Sequence, residues 1–216
     1  MTAPLTIAEG STAPAYWLDA CKHLMKKDRV MKRLIPQCGK ACLQSRGDAF
    51  MTLARSVVGQ QISVKAAQTV WDRFAKLPEL MTPAQVLRLK IEDMRAAGLS
   101  ARKVEYIVDL ALHFDRGTLH VAAWDSMDDE AVIDELVAIR GIGRWTAEMF
   151  LIFHLMRPNV LPLDDVGLIN GISKCYFSGE LVSRSDAREV ALAWAPYRSV
   201  ATWYIWRSLD PAPVEY

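Results

Sequence analysis

The stretch Leu136-Val-Ala-Ile-Arg-Gly-Ile-Gly-Arg-Trp-Thr-Ala147 decides how this chain folds. It is entered from DDEAVIDELVAI (128–139), whose apolar residues recur at helical spacing, and it opens a second apolar segment running from Arg144 to Leu155. Between the two lie Gly141, Ile142 and Gly143. A pair of glycines around one apolar residue permits a tight turn whose backbone can come close to a ligand. The helix that follows presents unpaired backbone N–H groups and the positive end of its dipole at its start. Such a terminus is a site for an anion, and a nucleic-acid phosphate is a natural occupant. Taken alone, a Gly-x-Gly between helices reads equally as a plain interhelix turn.

Working outward, the chain stays helical in pattern. DAFMTLARSVVGQQISVKAAQTVWDRFAKL (48–77), TPAQVLRL (82–89), IEDMRAAG (91–98) and ARKVEYIVDLALHF (101–114) all carry apolar residues three and four apart. Pro78, Pro83, Gly98 and Gly117 punctuate them. Thr82 and Ser100 stand where N-caps belong, and Pro83 suits a first helical turn. The pattern predicts an all-α protein of eight to ten short helices. The first fifteen residues and the tail DPAPVEY read as loosely ordered.

Bulk composition narrows the class without naming a partner. The 216 residues are 51% hydrophobic and 24% charged, with 26 Lys and Arg against 25 Asp and Glu, so net charge is only +1. No apolar run is long enough for a membrane span, and the N-terminus lacks the pattern of a secretory signal. A cytoplasmic, nucleoid-associated location is therefore expected. Cys21, Cys38, Cys42 and Cys175 form neither a disulfide framework nor a recognisable ligand set. Lys22, Lys26, Lys27, Arg29, Lys32 and Arg33 form a basic stretch interrupted by Asp28. It reads either as a solvated helix face or as a surface toward phosphate.

About twenty residues past the hairpin comes Leu161-Pro-Leu-Asp-Asp-Val-Gly-Leu168. Hairpin, acidic segment and the distance between them together resemble the helix-hairpin-helix (HhH-GPD) DNA glycosylase superfamily. The resemblance takes in Val57-Val-Gly-Gln-Gln-Ile-Ser63 and Tyr197-Arg-Ser-Val-Ala-Thr-Trp-Tyr-Ile-Trp206, and so spans roughly residues 48–208. It points to the alkylated-purine branch, the DNA-3-methyladenine glycosylase II type. The implied fold has two packed helical lobes with the active site in the cleft between them. One lobe would hold roughly residues 45–160, including the hairpin 136–147, and the other residues 1–44 with 161–216.

The implied activity is hydrolysis of the N-glycosidic bond of an alkylated purine in duplex DNA, leaving an abasic site. By alignment with the family pattern, Asp165 is the catalytic carboxylate, and Asp164 is left as a neighbour or helix cap. A double cap for the helix beginning near Val166 is the structural alternative. One carboxylate suffices chemically, because it can stabilise the positive charge that builds on the sugar and orient the attacking water. An alkylated purine is already cationic and leaves without a strong acid. Relatives that also cut the strand carry a lysine at the position of Trp145, and tryptophan cannot form their Schiff base. With no cysteine after Cys175, the iron–sulfur loop of some relatives is not expected.

The same resemblance implies a base pocket of Trp145, Met149 and Trp206. An aromatic face gains ~0.5–2 kcal/mol from a cationic base, although either tryptophan also reads as core. Gln61 matches a residue that enters the duplex where the base has left, with Gln60, Ser63 and Lys65 beside it. Gly141, Gly143, Arg144 and Thr146 are the expected backbone contacts of the hairpin. Carbonyls of Val137, Ile139 and Ile142 are expected to hold a structural Na+ or K+, and no cofactor is required. The expected partner is double-stranded DNA bearing alkylated bases, met by a monomer. Three other readings stand beside this one: a glycosylase for oxidised, deaminated or mismatched bases, a non-catalytic DNA binder, and a helical protein-interaction module.

Overall fold

The computed structural model describes residues 13–45 and 47–209. The expectation of loose order at the two ends falls outside this range, except at residues 13–15, which lead into the first helix. Among the described residues the chain is helical with no strand, and it divides into two compact units: 13–45 with 151–209, and 47–150. Twelve α-helices occur among them, against the eight to ten expected. The excess comes from short turns such as Pro83–Val86 and Ile91–Ala96, and from a break at Asp28. No helix of the described residues is long and apolar enough to cross a membrane.

The first unit contains α1 (Trp17–Lys27), α2 (Arg29–Gln37), α10 (Val166–Tyr176), α11 (Arg184–Val190) and α12 (Arg198–Leu209), numbered in chain order. Every residue of α12 from Ser199 to Trp206 is buried. A helix with no solvent face belongs at the centre of a core, and α1, α2 and α10 all pack on it. The approach of α10 is close because Gly171 faces α12. A Cβ there would lie 2.2 Å from Cγ2 of Ile205 and 3.3 Å from its carbonyl oxygen. Glycine inside a helix costs about 1 kcal/mol relative to alanine, and the contact it permits offsets that cost.

Asp28 separates α1 from α2 and is the main polar tie of this unit. Its backbone is extended, and its Oδ1 accepts from the amides of Val30 (2.7 Å) and Met31 (2.9 Å), which caps α2. Oδ2 accepts from the Tyr176 hydroxyl at 2.8 Å and from Trp194 Nε1 at 3.1 Å. The one acid in the basic stretch is thus a buried structural group. Burial, with the Asp28 carboxylate alongside, holds the Tyr176 phenol well above its ordinary range. Lys22, Lys26, Lys27, Arg29, Lys32 and Arg33 are all exposed.

The second unit is built around α7 (Ala101–Asp115), against which α3 (Ala49–Gly59), α5 (Pro83–Val86) and α6 (Ile91–Ala96) pack, with α4 (Val64–Phe74) on α3. A 3-10 turn over Val121–Ser126 leads to α8 (Asp129–Val137) and α9 (Arg144–Phe153). Thr82 and Ser100 cap α5 and α7 through the amides of Gln85 and Lys103, and Pro83 occupies the first turn of α5, as expected. Edge-on aromatic contacts run from Phe50 to Phe114, to Trp124, to Phe150, at centroid separations of 5.4, 6.3 and 5.4 Å.

Replacing Asp28 by alanine removes a cap and leaves the buried Tyr176 and Trp194 donors without their acceptor. A loss of about 3 kcal/mol or more is expected, read as a lower urea midpoint, whereas Tyr176→Phe costs only about 1 kcal/mol.

Candidate functional site

The segment into α10 fixes the two neighbouring aspartates differently. The amide of Asp165 donates to the Pro162 carbonyl at 3.0 Å, closing a turn that begins the helix. Upstream, buried Ser199 of α12 holds residues 157–160. Its Oγ donates to the Arg157 carbonyl (2.6 Å) and accepts from the Val160 amide (2.9 Å), and its own amide donates to the Pro158 carbonyl (3.0 Å). Asp164 ends up half-exposed, with Oδ1 2.6 Å from the Arg184 guanidinium. Asp165 is 5% exposed and is itself the N-cap of α10, its Oδ1 accepting the Leu168 amide at 2.6 Å. The cap expected of Asp164 is thus supplied by Asp165.

The same Oδ1 accepts a second bond, from Trp206 Nε1 at 2.7 Å. Trp206 is 2% exposed, and its ring stacks on Phe153 at 5.8 Å with 11° between planes. Expected as a face for a base, it has its polar edge committed to the carboxylate. Gly167 makes the geometry possible: a Cβ there would sit 3.1 Å from Asp165 Oδ1 and 3.3–3.4 Å from the indole edge. The cap position adds the positive end of the α10 dipole. Such a fixed, buried carboxylate is suited to stabilising a cation, because its dipolar surroundings need no reorganisation as charge develops.

In the second unit the hairpin turn is braced from α7. The Arg140 amide donates to Asp109 Oδ2 at 2.8 Å, and its guanidinium pairs with Glu105 at 3.0 Å. Gly141 has φ +85°, and a Cβ on it would lie 2.2 Å from the ring of Tyr106. Its reason for being glycine is internal. Gly143 differs, because it is exposed and a Cβ there meets nothing within 4 Å. Open space therefore lies before the first turn of α9, as an anion site requires. Val137 is exposed, while Ile139 and Ile142 are 1% and 4% exposed, with the Ile142 amide donating to the Ile139 carbonyl at 3.1 Å.

Other expected contacts divide. Arg144 pairs with Glu130 (Nη1 at 2.9 Å) and with the buried Glu148 (Nε at 3.1 Å), so its charge is largely answered within the chain. The hydrogen bonds from Arg144 in turn hold the Glu130 carboxyl below its usual range. Thr146 and Met149 are buried, while Trp145, four residues before Met149, is half-buried. Gln61 is exposed, with φ +58°, at the tip of the turn between α3 and α4. Ser63 caps α4, its Oγ accepting the Ala66 amide at 3.3 Å, and Lys65 is exposed. Gln60, expected to face DNA, instead donates its amide to the Gly141 carbonyl at 2.9 Å. It ties the Gln61 turn to the hairpin.

Sequence reasoning missed three supports. Lys103 Nζ donates to the Val58 carbonyl at 2.6 Å, and burial lowers its pKa below the usual lysine range. Gly167 and the indole donor of Trp206 were missed as well. The Asp-Val-Gly-Leu spelling carries the glycine openly, but its partner is forty-one positions away from Asp165.

The two hairpin glycines are expected to fail differently. Gly141→Ala should cost about 1–3 kcal/mol of stability through strain and collision with Tyr106. Gly143→Ala should leave the melting temperature within about 0.5 kcal/mol of wild type while weakening duplex-DNA binding, measured by fluorescence anisotropy.

Comparison with known proteins accords with this geometry. Residues 54–196 match the HhH-GPD superfamily of base excision DNA repair proteins. The DNA-3-methyladenine glycosylase 1 of Schizosaccharomyces pombe is 31% identical over 193 residues, which is 86% of this chain and 85% of that protein. The crystal structure of a DNA-3-methyladenine glycosidase from Bacillus halodurans superposes with a TM-score of 0.82 at 36% identity, covering 93% of this chain and 91% of that one. The S. pombe 3-methyladenine DNA glycosylase Mag1, solved with abasic DNA, gives 0.80 at 30% identity, covering 92% and 100%. This chain belongs to the HhH-GPD superfamily of base excision DNA repair proteins.

Proposed function

We propose that the protein is a DNA glycosylase that hydrolyses the N-glycosidic bond of alkylated purines of the 3-methyladenine type, leaving an abasic site for base excision repair. The observation that carries this reading is Asp165, a buried carboxylate held by two N–H donors at the start of a helix. As the bond between C1′ and the alkylated base breaks, positive charge moves onto the sugar. The carboxylate stabilises it, water adds at C1′ with loss of a proton, and the base departs as a neutral purine. Because the base carries its own positive charge beforehand, no second acid is demanded.

The remaining roles follow residue by residue. Trp145 offers a half-buried aromatic face for a cationic base, with Met149 one turn on. Tryptophan supplies no amine, so the sugar is not captured as a Schiff base and the strand stays intact. Gln61, projecting from a left-handed turn, fills the space a flipped nucleotide leaves. Gly143 and the first turn of α9 receive a phosphate of duplex DNA.

The backbone carbonyls of Val137, Ile139 and Ile142 suit a structural Na+ or K+. Their side chains are hydrocarbon, so the donors are neutral oxygens matched to a single charge, and two of the three side chains are anchored in the core. Such an ion supplies positive charge toward the backbone and takes no part in bond cleavage.

The test is base release from methylated duplex DNA at neutral pH. Wild type is expected to release 3-methyladenine without cutting the strand. Asp165→Asn is expected to lose about 100-fold or more in rate and still to bind the duplex. A wild-type protein that binds the DNA and releases no alkylated base contradicts the proposal, and release of a neutral oxidised or deaminated base in its place assigns a different lesion.

A further inference from the structure

We propose that Trp206 acts as the positioning residue for Asp165, fixing the carboxylate through its indole N–H rather than receiving the damaged base on its ring. The inference rests on Asp165 being the reacting carboxylate. Two donors meet on one oxygen, the Leu168 amide at 2.6 Å and Trp206 Nε1 at 2.7 Å. One comes from the backbone of α10, which also carries the carboxylate, and the other from α12. A single donor leaves a carboxylate able to swing about its Cβ–Cγ bond, whereas two donors from different helices set its plane.

The donor is itself held. The indole is 2% exposed and lies flat on Phe153 at 5.8 Å. It sits in the middle of the fully buried run of α12. Gly167 and Gly171, one turn apart on α10, face Trp206 and Ile205 in succession. These glycines bring the two helices close enough for a 2.7 Å bond. A side chain at Gly167 would enter the space shared by carboxylate and indole, 3.1 Å from one and 3.3 Å from the nearer carbon of the other. A residue whose role was to stack a base would not need its N–H on the carboxylate, and phenylalanine would serve it nearly as well.

That difference supplies the test. Trp206→Phe keeps an aromatic ring and removes the donor. Three quantities are read: the single-turnover rate of 3-methyladenine release, and the dissociation constants for duplexes carrying either a damaged base or a tetrahydrofuran abasic analogue. The expected result is a rate lowered about 10- to 100-fold, the worth of one hydrogen bond to a charged group, with both constants within about twofold of wild type. Gly167→Ala, which leaves the tryptophan in place, is expected to lower the rate in the same direction with a native melting temperature. It decides the matter if Trp206→Phe does not fold.

Wild-type rates in the variants, with Asp165→Asn inactive, overturn the inference and leave the function standing. Selective weakening of binding to the damaged base in Trp206→Phe, with abasic binding kept, also overturns it, because that is the mark of a stacking platform. Full activity in Asp165→Asn removes the reading on which the inference rests.

Discussion

The first unit depends on the close crossing of α10 and α12. Gly167 and Gly171 present no side chain toward α12, and in their place lie the indole of Trp206 and the side chain of Ile205. From this one constraint follow the burial of α12 on every side, the placement of the indole N–H on Asp165, and the use of α12's first turn to grip residues 157–160 through Ser199. Close-packed interiors do not stretch to absorb a methyl group. The geometry of the carboxylate is therefore a property of helix packing as much as of the residues around it.

The second unit solves a different problem, that of holding two exposed turns in fixed relation. Helix α7 is the common support. Its Glu105, Tyr106 and Asp109 receive the hairpin turn, and its Lys103 holds the Val58 carbonyl at the end of α3, beside the Gln61 turn. Gln60 closes the circuit by bonding the Gly141 carbonyl. A turn that must push into a DNA duplex works against base stacking, so rigidity in its support is of direct use. The charge arrangement agrees with this division of labour. Arg144 is satisfied within the protein by Glu130 and Glu148, which leaves backbone groups rather than a cationic side chain to meet the phosphate.

Much of this was readable from local pattern. Helical class, the N-caps Thr82 and Ser100, and the hairpin are all features whose cause lies within a few residues, and each stood in the sequence with its partner nearby. The adjacent pair Asp164 and Asp165 was separable only by resemblance. The structure adds a physical distinction, since one is exposed and paired with Arg184 while the other is buried and caps α10. What stayed hidden is non-local. Asp28 looked like an interruption in a basic stretch because Tyr176 and Trp194 lie 148 and 166 residues away. Gln60 looked like a DNA contact because its partner Gly141 is 81 residues on. Trp206 read as an aromatic surface, since a sequence shows a ring and not where its N–H points.

The central claim is electrostatic: a carboxylate fixed in advance stabilises positive charge at the sugar. It is tested most directly by comparing wild-type affinity for two duplexes that differ only in charge at the abasic position, a cationic pyrrolidine analogue and the neutral tetrahydrofuran. Because a transition-state mimic gains what the transition state gains, the cationic analogue should bind at least about 100-fold more tightly. Equal affinity for the two would mean that the site does not discriminate the developing charge, and would contradict the role given to Asp165.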